Sequence, residues 1–189
     1  KVDDATLAYN KSIENGAFSI LEPNKTSDAN GELILSSIAT YGDVIHTFVQ
    51  DELYEGLWMP GFEQLNVKSN CHEKPELLFI DHIVGNVEDN KMDDWKKYYE
   101  NVFGFSTFVK FDDSDISTRF SSLKSVVVRS KNWKVKLPIN EPAEGLKKSQ
   151  ITEFLEYNNG PGVQHIAIQT KNIINTIRSL RRNGVEFLE

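Results

Sequence analysis

Apolar and polar positions along this chain follow two periods, one extended and one helical. Two short apolar runs each contain one histidine: Leu77-Leu78-Phe79-Ile80-Asp81-His82-Ile83-Val84-Gly85 and Gly162-Val163-Gln164-His165-Ile166-Ala167-Ile168. Both are rich in β-branched residues and bounded by Pro, Gly and Asn, which predicts strands. Behind each comes a polar turn and an amphipathic helix. Met92, Trp95, Tyr98, Tyr99, Val102 and Phe103 lie on one helical face, opened by Asn90 and Asp93. Ile173, Ile174, Ile177 and Leu180 lie on the other, capped by Asn172. The aromatic face reads as core, and Arg178, Arg181 and Arg182 as a solvated face near a helix end.

Upstream, Asp3 or Asp4 caps a helix carrying Ala5, Ala8, Tyr9 and Ile13. Ala17 to Leu21 reads as a short strand and Asn24 to Gly31 as a polar turn. Leu33 to Thr40 and Val44 to Val49 read as two strands around Tyr41-Gly42-Asp43. From Glu52 to Pro75 no period survives, so this stretch is predicted to be a linker. After the second helix, Phe105 to Phe111, Thr118 to Ser130 and Trp133 to Ile139 are predicted strands. Pro138 and Pro142 are expected to take the chain out of the sheet, because neither can donate to a ladder. Gln150 to Tyr157 is more helical than extended.

Strand–helix–strand–strand–strand therefore recurs. The helix-ending glycines Gly16, Gly104 and Gly184 mark three copies, the first without its opening strand and the third begun only as far as Leu188. The fold class expected is α+β, with helices packed outside curved sheets. With Lys1 as the first residue and Glu189 as the last, a piece of a longer protein is expected, cut at both ends.

Composition narrows the partners. The net charge of −7 argues against nucleic acid, which needs a basic surface. No apolar run approaches the roughly 18 residues of a membrane helix. Cys71 is the only cysteine, so no internal disulfide forms, and a reducing, cytoplasmic setting is the expectation. Cys71-His72 and the acidic turn Asp112-Asp113-Ser114-Asp115 are both read as solvated loops; the turn lacks the spacing of a calcium loop.

The candidate chemistry lies in His82 and His165. A histidine on a strand is commonly a satisfied core or surface residue. Two at matched positions of a repeat also fit a pair of ligands, since neutral imidazole suits Fe, Zn, Cu and Ni. With one carboxylate they would form the facial triad of non-haem Fe(II) oxygenases. Asp81 and Gln164, next to the histidines, should face the opposite side of their strands; for Gln164 this holds unless the strand bulges. Ser125, Asn140 and Gln150 stand near predicted strand ends and can each donate and accept hydrogen bonds.

Four segments, in order and spacing, resemble the 4-hydroxyphenylpyruvate dioxygenase family: Ile80-Asp81-His82-Ile83-Val84-Gly85-Asn86, Leu137-Pro138-Ile139-Asn140-Glu141-Pro142, Lys148-Ser149-Gln150-Ile151 and Gly162-Val163-Gln164-His165-Ile166-Ala167. Thr40-Tyr41-Gly42-Asp43 and His46-Thr47 extend the resemblance over nearly the whole chain. It implies the vicinal oxygen chelate fold, built of βαβββ modules. Residues 1–54 would be part of the second module of an N-terminal domain, 55–76 a linker, and 77–189 the third module and the start of the fourth. It implies His82 and His165 as two Fe(II) ligands, with a third, a glutamate, beyond Glu189. Ser125, Asn140, Gln150 and Gln164 would line the substrate pocket. The implied reaction joins 4-hydroxyphenylpyruvate, a 2-oxo acid, with O2 to give homogentisate and CO2 in tyrosine and phenylalanine catabolism. A homo-oligomer is the expected assembly. Hydroxymandelate synthase, with the same substrate, and a metal-free binding module on the same fold remain the rival readings.

Overall fold

The computed structural model describes residues 1–65, 74–111, 123–143 and 148–188. The expectations placed on Cys71-His72, on the acidic turn at 112–115 and on residues 118–122 lie outside these. So does Glu189, the residue beyond which the third ligand is expected. The N-terminal part is a helix, α1 (Ala5–Glu14), followed by a meander of β1 (Ser19–Asp28), β2 (Gly31–Ala39) and β3 (Ile45–Gln50), in the order β1-β2-β3. The Asp4 carboxylate caps α1 by accepting from the Leu7 amide at 2.7 Å. The expected polar turn at 24–31 is instead strand as far as Asp28, paired with β2. Its residues are polar because this edge strand is largely exposed.

The second part opens with β4 (Leu77–Asn86) and α2 (Met92–Phe103). It continues with β5 (Ser106–Phe111), β6 (Leu123–Arg129), β7 (Lys136–Pro142), α3 (Gln150–Tyr157), β8 (Gly162–Thr170) and α4 (Ile173–Arg182). The five strands are ordered β5-β6-β7-β4-β8. The class is α+β, as expected. The segment β4-α2-β5-β6-β7 is one whole strand–helix–three-strand unit, α1-β1-β2-β3 lacks the opening strand, and β8-α4 begins another. Residues 185–188, expected as a nascent strand, carry no ladder.

Two local details depart from the pattern reading. Neither Asn90 nor Asp93 caps α2. The buried Glu141 of β7 does so across the fold, its carboxylate accepting from the Met92 amide at 3.0 Å. Both prolines stay in the sheet, with Pro138 opposite Val127 and Pro142 opposite Leu123. They are tolerated because β4 pairs with the other edge of β7 only at Ile139 and Asn140, so no hydrogen is demanded of either proline on that side. Asn140 is thereby a strand residue with a fixed direction.

The helix α2 joins the two sheets. Its Met92 and Tyr99 pack with Val87, Val126, Val128, Ile139 and, from the N-terminal part, Tyr41. Its Val102 packs instead with Ala5, Tyr9, Ile38 and Phe48. The Tyr98 hydroxyl donates to the Ala39 carbonyl at 2.6 Å, pinning the same seam. Gly104 ends the helix in the left-handed region (φ 64°), which costs glycine little. Among the described residues no helix is long and apolar enough to cross a membrane.

Candidate metal centre

The first strands of successive units, β4 and β8, pair antiparallel, which brings their histidines together. His82 stands opposite Ala167 and His165 opposite Val84, two positions along the ladder. The imidazole centroids are 5.8 Å apart, with the ring planes at 73°. Both rings line a cavity of about 310 Å³, at the lower end of the range for small-molecule sites.

Ser125 and Asn140, opposite each other in the β6–β7 ladder, line this cavity as well. So do Gln150, in the first turn of α3, and Gln164. All six residues singled out in the sequence thus meet in one place. Apolar walls come from Val84, Leu123, Val127, Pro138 and Ile151, none of which any polar pattern would have flagged. Ser125 and Asn140 are buried, and the Asn140 amide donates to the Asn86 side-chain oxygen at 3.3 Å. Ser149 caps α3 by accepting from the Thr152 amide, which fixes where Gln150 begins the helix. A larger hollow of about 660 Å³ lies elsewhere, against Glu88, Asp89 and Lys124, but among the described residues its lining offers no histidine.

Each histidine is preceded by an extra residue in its strand. Ile80 pairs with Ile168 and His82 with Ala167, leaving Asp81 without a partner. Val84 pairs with His165 and Gly85 with Val163, leaving Gln164 without one. Such bulges break the alternation of faces. Hence Asp81, expected to point away from His82, instead reaches its ring: Nδ1 lies 2.8 Å from Oδ2. Gln164 does likewise, its Oε1 lying 2.8 Å from Nδ1 of His165. The second oxygen of Asp81 accepts from the Lys136 ammonium at 2.5 Å. The hydrogen bond to His82 first, and that to Lys136 second, hold the Asp81 carboxyl below its ordinary range. Burial, and then the neighbouring His82, lower the pKa of His165, so this ring is neutral near pH 7.

This donor set fits a divalent transition metal. A neutral imidazole with its Nδ1 proton engaged keeps a lone pair on Nε2, the form in which histidine ligates. Among the described residues no third His, Cys, Asp or Glu joins the pair as a possible metal ligand, since Asp81 is engaged with Nδ1 of His82.

Comparison with known proteins agrees with this architecture. A relative from Yarrowia lipolytica named 4-hydroxyphenylpyruvate dioxygenase is 44% identical, over 100% of this chain and 49% of its own length. One of the same name from Tetrahymena thermophila is 45% identical, over 99% of this chain and 47% of its own length. The chain thus spans about half the length of the curated relatives it matches. In fold it resembles a mutant 4-hydroxymandelate synthase from Streptomyces coelicolor, with TM-score 0.77 and 23% identity over 99% of this chain and 52% of that one. The profile of one superfamily matches residues 79–189, the segment that carries both histidine strands and the cavity between them. On that match, the chain belongs to the Glyoxalase/Bleomycin resistance protein/Dioxygenase superfamily.

Proposed function

We propose that the protein is an Fe(II)-dependent dioxygenase that converts 4-hydroxyphenylpyruvate and O2 to homogentisate and CO2. His82 and His165 hold the iron, and Ser125, Asn140, Gln150 and Gln164 contact the substrate. A carboxylate from sequence following Glu189 completes the ligand set. Residues 77–189 belong to the catalytic domain, 1–54 to the domain before it, and 55–76 connect the two. One observation carries this reading: two strand histidines 5.8 Å apart share a cavity with all four polar side chains.

The bound metal supplies O2 activation and a seat for the 2-oxo acid. The chain's own residues do the rest. The apolar wall from Val84, Val127, Pro138 and Ile151 excludes water from the aromatic part of the substrate. The buried Ser125 hydroxyl and Asn140 amide offer both donors and acceptors, at positions fixed by the β6–β7 ladder. Orientation is their contribution, since misplacing a reacting group by about 1 Å can cost about 100-fold in rate.

The full-length protein should bind one equivalent of Fe(II) and consume O2 with 4-hydroxyphenylpyruvate. His82→Ala and His165→Ala should each lose both properties. Retained iron binding and turnover in either variant would refute the ligand assignment. Chromatography of the product separates homogentisate from mandelate.

A further inference from the structure

The two histidines have the same spacing, the same bulge and the same kind of contact at Nδ1, but different partners. Gln164 offers an amide, which can present its oxygen or its nitrogen to a ring. Asp81 offers a carboxylate, which when ionised can only accept. The proton between Asp81 and His82 therefore sits on Nδ1 of the imidazole, and in the neutral ring Nε2 keeps the lone pair. The carboxylate cannot swing away freely, because its other oxygen is bonded to Lys136 of β7, 55 residues along the chain. Asp81 is the extra residue of the β4 bulge, and the bulge is what brings it round to the ring.

We propose that Asp81, held by Lys136, is a positioning residue that fixes the tautomer and orientation of His82. The inference rests on the reading of His82 and His165 as metal ligands. Asp81, His82 and Lys136 keep between 25% and 32% of their side-chain surface in solvent. An ion pair exposed to that degree adds little to folding. Its role is to prepare a ligand, and this separates a positioning role from a structural one: affinity for metal should move while the stability of the metal-free protein hardly does.

The test is a titration of the full-length, metal-free protein with Co(II), read by visible absorption, and with Fe(II) under anaerobic conditions. Asp81→Ala is expected to weaken binding by about 10–100-fold, the usual cost of losing a partner of a ligating histidine. Lys136→Met is expected to weaken it less, and adding Lys136→Met to Asp81→Ala should cause no further loss, since both act through one ring. In the metal-free protein, ¹⁵N spectra of the His82 ring should show the Nδ1–H tautomer, and both variants should lose part of it. If Asp81→Ala does not fold, Lys136→Met carries the test by the same spectra, with ligand and acceptor both in place. Unchanged affinity and an unchanged tautomer, alongside His82→Ala that no longer binds, would overturn the proposal while leaving the ligand reading intact. A wild-type protein that binds neither metal would overturn both.

Discussion

The seam between the two sheets and the mouth of the cavity each carry a strand histidine environment, and the two are built differently. At the seam, His46 of β3 has its Nε2 2.8 Å from the Tyr99 hydroxyl and its ring edge-on to Phe103 at 5.2 Å. Burial lowers its pKa to about 4. At the cavity, the contacts of His82 and His165 engage Nδ1, on the side of the strand itself. A histidine on a strand therefore says little by itself. Which nitrogen its surroundings consume decides whether it holds the fold or remains able to hold something else.

Substitution should separate the two regions cleanly. His46→Ala removes a ring packed on Phe103 and Tyr99 and strips the buried Tyr99 hydroxyl of a partner. It should cost about 3 kcal/mol of stability, as aromatic truncation and a lost buried hydrogen bond together imply. Any folded fraction should bind Co(II) as wild type does. His165→Ala, at an exposed position, should change the stability of the metal-free protein by no more than about 0.5 kcal/mol while abolishing Co(II) binding. Urea unfolding of the metal-free proteins beside metal titration checks both. A His46 variant that loses metal but not stability would erase the distinction.

Gly85 lies where the regions touch, three residues after His82. A Cβ there would lie 2.1 Å from the Tyr41 hydroxyl and 2.5 Å from its Cζ. Tyr41 is buried and wedged edge-on against Trp95 at 5.6 Å, so the ring has no retreat. Gly85→Ala should cost about 2 kcal/mol through overpacking. A glycine change in the neighbouring strand β8, Gly162→Ala, meets first the amide end of the exposed Asn158, at 2.5 Å. That end can move by giving up its exposed bonds to the Gly160 and Pro161 carbonyls, so the cost should stay below that at Gly85, at about 1 kcal/mol. Thermal unfolding ranks the two. Removing the hydroxyl with Tyr41→Phe in the Gly85→Ala background should recover part of the loss, since neighbouring substitutions couple. No recovery would mean that the strain lies elsewhere.

Periodicity and punctuation made much of this legible. The apolar runs around His82 and His165 became β4 and β8, and Asp4, Asn172 and Gly104 cap helices as their types predict. What the pattern lacks is any signal for two-dimensional register. Period-two alternation sent Asp81 to the wrong face, because a bulge is a property of two paired strands and only one is visible in a local window. Sequence pattern marks Pro138 and Pro142 as breakers for a similar reason: whether a proline disrupts depends on which neighbour needs its missing hydrogen. Lys136 reaches Asp81, and Glu141 caps α2, across about 50 residues, distances at which no spacing rule applies.

Proton binding offers a second test of the seam. Burial holds the folded-state pKa of His46 near 4, against about 6.5 in an unfolded chain. Between those values the unfolded chain binds more protons, so stability rises with pH across the window and is lost as pH falls from about 6.5 toward 4. At pH 7 the ring is neutral in the fold and mostly neutral in the unfolded chain, so the effect there is small. By pH 5 the folded protein should have lost about 1.5 kcal/mol from this group, allowing for its partial exposure. His46→Gln keeps a polar partner for the Tyr99 hydroxyl but cannot titrate. Its unfolding free energy should therefore fall less than wild type's between pH 7 and pH 5, by roughly that 1.5 kcal/mol. Identical pH slopes in the two proteins would mean that His46 is protonated inside the fold, and the seam would then resemble the cavity more than its geometry indicates.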